Sequence, residues 1–296
     1  MKTDELRKRI RWVAEDRIHG ASELARICLA ILREAALYLE AEDGRALVRA
    51  LIGISDELAS VRPSMAPVAN LIELWRDRLE GMDHRDIFML RRMAAGAADS
   101  TIDDSKRAVR GAAIMASEVV GRGITIITCS LSSTIMELFS LLRDRNISAI
   151  VCESRPLCEG YVLAGKLADI GLSVTVITDA QAGIFMEKAD LALVGADSVL
   201  SDGSVVNKAG TSLMAMAALD KGRPFYVCCE SFKESASEAA SMELEEKDPS
   251  ELGAPEMPGV GIRNIYFDIT PARLIDGWIS EKGIRSYGGA RSLGRV

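Results

Sequence analysis

Long apolar runs are missing from this 296-residue chain. None approaches the roughly 18 to 20 residues of a membrane span, and the opening Met1–Arg11 is charged where a signal peptide carries an apolar core. The expectation is a soluble, intracellular, cytoplasmic protein with no membrane partner. Histidine is scarce: His19 and His84 have no companion at metal-ligand spacing and read as solvated or capping side chains. The six cysteines (Cys28, Cys129, Cys152, Cys158, Cys228, Cys229) are thinly spread and form no C-x-x-C pair. They read as reduced thiols rather than as a disulfide framework or a zinc site, and no metal is expected. Positive charge is not in excess either. Lys and Arg number 36 against 43 Asp and Glu, with 20 of each sign in residues 1–123 and 16 against 23 in the remainder. That is a poor footprint for direct nucleic-acid binding.

What is present is core-forming material. With 48% hydrophobic and 27% charged residues, disordered and fibrous classes are excluded for most of the chain. The length suffices for one large domain or two ordinary ones. From Thr3 to about Arg122 apolar residues recur at helical spacing, with Leu24, Ile27, Cys28 and Ile31 on one stripe and Leu47, Ala50, Leu51 and Ile54 on the next. Val61–Pro67, with two prolines and a serine, separates helices. The polar stretch Gly96–Asp104 predicts a second break, with Asp99 or Ser100 capping the helix that follows.

After Gly123 the period changes. Short β-branched runs at Ile124–Thr128, Ile147–Cys152, Val174–Thr178, Leu191–Val194 and Phe225–Cys229 alternate with helical stretches such as Met136–Arg143 and Val162–Ile170. The pattern predicts an α/β fold with a parallel sheet covered by helices on both faces. The boundaries expected are a helical N-terminal domain over 1–122, an α/β domain over 123–287 and a flexible tail over 288–296, which is rich in Gly, Ser and Arg.

In an open parallel sheet, ligands bind beyond the carboxyl ends of the strands. Polar residues follow every run: Thr128-Cys129-Ser130, Glu153-Ser154-Arg155, Asp179, Gly195-Ala196-Asp197 and Glu230-Ser231. Singly each reads as ordinary loop or capping chemistry; jointly they point to a crevice. The first turn has no G-x-G-x-x-G, which argues against a dinucleotide, and no cofactor is expected. Ser130, Ser132, Ser133 and Thr134 stand where a helix begins, so they offer an anion hydroxyls and backbone N–H groups, or simply cap that helix. Ser201-Asp202-Gly203-Ser204 is a two-residue hairpin signal. Its register would place Asp197 opposite Lys208 with Asn207 alongside, either as a plain cross-strand ion pair or as a proton shuttle beside a phosphate. Arg62 and Arg155 each precede a proline, which biases them away from helix, and either can grip phosphate bidentately.

A larger set of motifs then matches in order. Glu153-Ser154-Arg155-Pro156 with Glu159-Gly160, Val194-Gly195-Ala196-Asp197, Asp202-Gly203, Asn207-Lys208 with Gly210-Thr211, Pro224-Phe225-Tyr226-Val227, Glu230-Ser231-Phe232-Lys233 and Phe267-Asp268-Ile269-Thr270-Pro271 together resemble the alpha/beta/delta regulatory subunits of translation initiation factor 2B. That family is similar to ribose-1,5-bisphosphate isomerase and methylthioribose-1-phosphate isomerase. Glu243–Leu252 looks most like the ribose-1,5-bisphosphate branch, and His19-Gly20-Ala21-Ser22 and Arg62-Pro63 look like counterparts of the family's N-terminal phosphate-contacting motifs. The resemblance implies a helical domain over a Rossmann-like domain, a phosphorylated sugar or nucleotide between them, a homodimer or higher homo-oligomer, and initiation factor 2 subunits as candidate partners.

The resemblance also implies site roles. Asp197 matches an acid/base of the isomerases, but in register Cys129 falls on their His and Ser130 on their catalytic Cys. Binding roles fall on Gly20, Ala21, Ser22, Arg62, Ser132, Arg155, Glu159, Asn207, Lys208 and Lys233, with His19 and Glu159 replacing the isomerases' Arg and Gln. A serine needs a neighbouring base where a thiol does not, and losing one member of an acid/base pair costs on the order of 10²–10⁴ in rate. The leading expectation is a regulatory-subunit-like binder. The alternative is an aldose–ketose isomerase using Asp197 with Cys129 or Ser130.

Overall fold

The computed structural model describes residues 3–82, 85–242 and 244–286. His84, Glu243 and the expected tail 288–296 lie outside them. The chain divides into two compact units, Met1–Arg107 and Ala108–Val296.

The first unit is helical: α1 (Thr3–Glu15), α2 (Ala21–Tyr38), α3 (Gly44–Ser60), α4 (Ala66–Asp77) and the beginning of α5 (Ile87–Val119). Its core uses the predicted stripes, with Leu24, Cys28, Ile31, Leu47, Leu51 and Ile54 buried beside Trp75. The Trp75 indole N–H donates to the carbonyl of Ala94 at 3.0 Å, so burial costs it no hydrogen bond. Asp43 caps α3 by accepting from the Ala46 amide at 2.7 Å.

The expected break at Gly96–Asp104 does not occur, because α5 runs through it without interruption. Polar residues there serve as side-chain anchors instead of caps. Asp99 accepts from Arg33 Nε at 3.0 Å, Ser105 from Arg26 at 3.3 Å, Thr101 from Arg78 at 2.9 Å, and Asp104 pairs with Arg78. Tertiary pairing outweighs the weak helix propensity of Asp, Ser and Thr.

In the second unit the strands are β1 (Thr125–Thr128), β2 (Ser148–Cys152), β3 (Ser173–Ile177), β4 (Leu191–Val194), β5 (Ser198–Val199), β6 (Val205–Lys208), β7 (Phe225–Cys228), β8 (Glu246–Lys247), β9 (Asn264–Ile265), β10 (Phe267–Thr270), β11 (Gly277–Ser280) and β12 (Gly283–Arg285). The helices are α6 (Ser133–Leu142), α7 (Glu159–Asp169), α8 (Ala182–Phe185) and α9 (Thr211–Lys221). Seven strands form one sheet in the order β12-β11-β7-β4-β1-β2-β3. All its pairings are parallel except the β11–β12 hairpin at one edge.

Alternate residues along each strand feed opposite cores. Ile126, Ala149, Leu193 and Tyr226 pack with Ala112 and Ala116 of α5 and with apolar residues of α6 and α7. Ile127, Ile150, Val194 and Val227 pack with Met186 and with Met214 and Ala218 of α9. Helices therefore cover both faces, as the alternating pattern predicted.

The hairpin at Asp202-Gly203 forms, but one residue out of the expected register. Ser198 faces Val206 and Val199 faces Val205, so the loop contains Ser201, Asp202 and Gly203, with Gly203 at φ +83°. Asp202 closes that loop by accepting from both the amide and the hydroxyl of Ser204 at 2.9 Å. This is the three-residue loop ending in a left-handed glycine. Its extra residue moves the position across from Asp197 from Lys208 to Asn207.

Candidate active site at the strand tips

The loops beyond β1, β2 and β3 are stitched together by short hydrogen bonds. Ser130, two residues past β1, donates its amide to Ser154 Oγ at 2.7 Å. Ser154 Oγ donates to the Cys152 carbonyl at 3.1 Å. Asp179, past β3, accepts from the amides of Ser154 and Arg155, each at 2.8 Å. Ser130 and Ser154 both sit at φ +63°, a left-handed conformation costing roughly 1–2 kcal/mol in a residue other than glycine. These bonds hold that conformation in place.

In this twisted turn the Ser130 hydroxyl donates to Glu159 Oε1 at 2.7 Å. Glu159 opens α7, and Gly160 lets that opening approach the sheet: a Cβ on Gly160 would stand 1.9 Å from the Cys152 carbonyl oxygen. The same Glu159 oxygen lies 3.1 Å from Lys208 Nζ. Lys208 ends β6 almost entirely buried, its ammonium 4.6 Å from the centre of the Tyr266 ring and 5.7 Å from that of Phe267. A half-buried hydroxyl and a buried ammonium thus meet at one oxygen of a half-buried carboxylate.

Cys129 is turned the other way. Its sulfur lies 3.6 Å from Thr211 Oγ1 within the core on the α9 face, and burial pushes the thiol up to about 12. Asn207 donates to the same Thr211 oxygen at 3.0 Å, and Thr211 donates to the Lys208 carbonyl at 2.6 Å. Asp268 on β10 accepts from the amides of Gly210 and Ser212 at 2.8 and 3.1 Å, capping α9 from another strand. Burial raises Asp268 to about 6 against the lowering effect of those two bonds. Sequence reasoning gave Asp268 no role, and no local signal marks it, because the helix start it caps lies 58 residues away in the chain.

Asp197 lies in the turn past β4 and is half-buried. Its amide donates to the Val206 carbonyl at 2.8 Å. Because β4 pairs with β1 in parallel, Asp197 and Ser130 lie beyond the same, carboxyl end of the sheet. Lys233 supports that turn by donating to the Ala196 carbonyl, with Glu230 4.0 Å away and Thr134 donating to Glu230 at 3.0 Å. Ser132 is the N-cap of α6. A Cβ on Gly195 would meet its hydroxyl at 2.7 Å, so the β4 turn rests on the start of that helix. Arg155 is exposed, and donates to the Leu252 carbonyl at 2.6 Å.

The N-terminal candidates are organised within the helical unit. Gly20 is the N-cap of α2, and Ala21 and Ser22 form its first turn. Arg62 is buried, donating to the Asp16 carbonyl at 2.9 Å. Asp16 in turn accepts from the His19 amide at 2.9 Å and pairs with the His19 ring at 2.8 Å. Among the described residues, no group of three or more His, Cys, Asp or Glu is placed to hold a metal ion, and no helix is long and apolar enough to cross a membrane.

Polar turns gathered at the carboxyl ends of a parallel sheet define a Rossmann-like α/β fold. The chain belongs to the initiation factor 2 subunit family, whose sequence profile matches residues 17–286. A Pyrococcus abyssi protein named eIF-2B subunit 2-like is 38% identical over 91% of this chain and 92% of its own length. The ribose 1,5-bisphosphate isomerase of Methanocaldococcus jannaschii is 29% identical over 90% and 87%. Among solved structures, the translation initiation factor eIF-2B of Pyrococcus horikoshii OT3 superposes with a TM-score of 0.83 at 33% identity, covering 96% of this chain and 97% of that one. The tetrameric eIF2B beta2-delta2 complex from C. thermophilum shares the fold, with a TM-score of 0.71 at 17% identity over 96% and 90%.

Proposed function

We propose that this chain is a non-catalytic, regulatory-type member of its family that binds a phosphorylated sugar or nucleotide at the strand tips. The observation that carries the reading is the state of the two candidate partners for Asp197. Proton transfer between adjacent sugar carbons needs two groups that can each take and return a proton. Cys129 is enclosed in the core with its thiol raised to about 12, so almost no thiolate exists at neutral pH. Ser130 donates its hydroxyl to a carboxylate that is itself paired with Lys208, so that carboxylate is already engaged. Anion binding has separate support. The start of α6, with Ser132 at its cap, aims backbone N–H groups toward the strand tips, and exposed Arg155 stands at the neighbouring turn.

The bound chain acts in the cytoplasm through association, with copies of itself and with initiation factor 2 subunits. Apolar side chains left exposed on α7 and α9, among them Tyr161, Val162, Leu213 and Leu219, support such contacts. The isomerase reading keeps one supporting observation, Asp197 in its Gly-Ala-Asp turn. Incubation with ribose 1,5-bisphosphate at high protein concentration separates the two. The expected result is no ketose formed, with binding seen as thermal stabilisation by ribose 5-phosphate. Turnover that Asp197→Asn abolishes would establish the isomerase instead. A strictly monomeric species in light scattering, with no initiation factor 2 subunit captured, would remove the association.

A further inference from the structure

A buried ammonium calls for an anionic partner, from a ligand or from the chain itself. Here the place is filled from within. Glu159 Oε1 receives the Ser130 hydroxyl at 2.7 Å and stands 3.1 Å from Lys208 Nζ, while the side chains of Lys208 and Glu159 are only 7% and 18% exposed. The faces of Tyr266 and Phe267 enclose the same ammonium. One donor hydroxyl and one ammonium converge on a single carboxylate oxygen, as they would on an oxygen of a phosphate, while the two aromatic rings lie against the ammonium alone.

We infer that Glu159 is a resident counter-anion for Lys208, and that it makes this end of the site refuse a phosphate. The inference rests on the binding role proposed above and narrows its ligand class to molecules with a single phosphate and an uncharged polyol end. A second phosphate reaching Lys208 would either stand against the Glu159 carboxylate in a low-dielectric site or displace it into the same confined space, and both are unfavourable. A sugar hydroxyl can instead donate to Glu159 without disturbing the ion pair. The first phosphate is left to the start of α6.

The position of Glu159 is built rather than incidental. Gly160 exists at the one spot where α7 touches the Cys152 carbonyl, and the Gly160 amide donates to the Glu153 carbonyl at 3.1 Å. The first residue of α7 is thereby pinned beside the turn that carries Ser130. Glu159 is a specificity-determining residue, and its carboxylate acts by charge.

The test compares wild type with Glu159→Gln, which keeps an acceptor for Ser130 and removes the charge. Inorganic phosphate is titrated against chloride at equal ionic strength, with thermal stability as the readout. Ribose 5-phosphate and ribose 1,5-bisphosphate are titrated by calorimetry. The expected outcomes are a saturable phosphate stabilisation in Glu159→Gln that wild type lacks and that added Lys208→Met removes, and at least a tenfold gain in bisphosphate affinity with the monophosphate changed less than threefold. A variant indifferent to phosphate overturns the inference, as does wild type that binds the bisphosphate more than tenfold tighter than the monophosphate. Should Glu159→Gln fail to fold even in phosphate, that also counts against it, since a phosphate is expected to replace the missing charge. If no sugar phosphate binds either protein, the proposed function fails, while the inorganic phosphate comparison still decides the role of Glu159.

Discussion

The Ser130 hydroxyl and the Glu159 carboxylate meet at 2.7 Å across 29 residues of chain. Neither element alone brings them together. Ser130 is turned by its left-handed backbone at the end of β1, and Glu159 is set by the glycine that follows it at the opening of α7. The contact ties the Ser130 hydroxyl to the largely buried Glu159–Lys208 ion pair, which supports the binding role proposed for this end of the sheet over proton transfer.

The same contact determines what a thiol at position 130 would do. A carboxylate beside a thiol disfavours the thiolate, so Ser130→Cys alone is expected to leave ketose formation from ribose 1,5-bisphosphate at background. Adding Glu159→Gln removes the opposing charge, and the double variant is expected to turn over at least tenfold faster than Ser130→Cys. A coupled assay for the ketose product checks both. Equal rates in the two variants would mean that the carboxylate does not govern the turn.

Thiol chemistry should be selective in the native protein. Cys28, Cys129 and Cys229 are buried with thiols raised to about 12, and burial raises Cys152 and Cys228 as well. Only Cys158 is half-buried rather than enclosed. Since the thiolate is the reacting form, iodoacetamide at pH 8 is expected to modify about one thiol per chain. Peptide mass spectrometry should place the label at Cys158, and Cys158→Ala should remove it. Label on Cys129 before unfolding would show that its enclosure is incomplete.

Much of the architecture was legible because its signal is local. The five β-branched runs became five adjacent parallel strands, β7-β4-β1-β2-β3, and Asp202-Gly203 became a turn, since alternation and left-handed glycines act over a few residues. The failures share the opposite cause. Nothing near Asp99 or Asp104 announces that Arg33 and Arg78 lie across from them, so a helix interior looked like a break. The hairpin register turned on the Asp202 side chain closing a loop of three residues rather than two. Glu159, a candidate only through resemblance, acquires Ser130 and Lys208 as partners through tertiary approach alone. Asp268 likewise reaches the start of α9 from β10.

Asp268 supplies a pH dependence with a definite sign. Burial raises its folded-state value to about 6, above the ordinary carboxylate range near 3.9. Between those values the folded chain holds a proton that the unfolded chain releases, so this group adds stability as pH falls from above 6 toward 4 and subtracts it as pH rises. Asp268→Asn keeps an acceptor for the Gly210 and Ser212 amides but cannot ionise. The stability of the variant relative to wild type should therefore be greater at pH 7.5 than at pH 4.5, by no more than about 3 kcal/mol, the value of about two pH units. Urea denaturation at both pH values measures it. An equal difference at the two would show that Asp268 does not titrate in this range.

Gly160 is the most demanding packing position at the site, and it tests whether the opening of α7 sets the ion pair. An added Cβ would lie 1.9 Å from the Cys152 carbonyl oxygen and 2.9 Å from its carbon. Both are backbone atoms of a central strand, so neither can swing aside as a side chain would. Gly195 is tight as well, because a Cβ there would stand 2.7 Å from the Ser132 hydroxyl, which can rotate, and 2.8 Å from the Ser132 Cβ, which moves only with the start of α6. Gly160→Ala is expected to cost about 3 kcal/mol or more, and Gly195→Ala about 1–3 kcal/mol, on the scale of overpacked cores. Since α7 must move away from β2 to accept the methyl group, Gly160→Ala should also carry Glu159 away from Lys208 and open the site to inorganic phosphate. Thermal melts with and without phosphate measure both effects, and a Gly160→Ala protein as stable as wild type would show that α7 is not seated on the sheet as described.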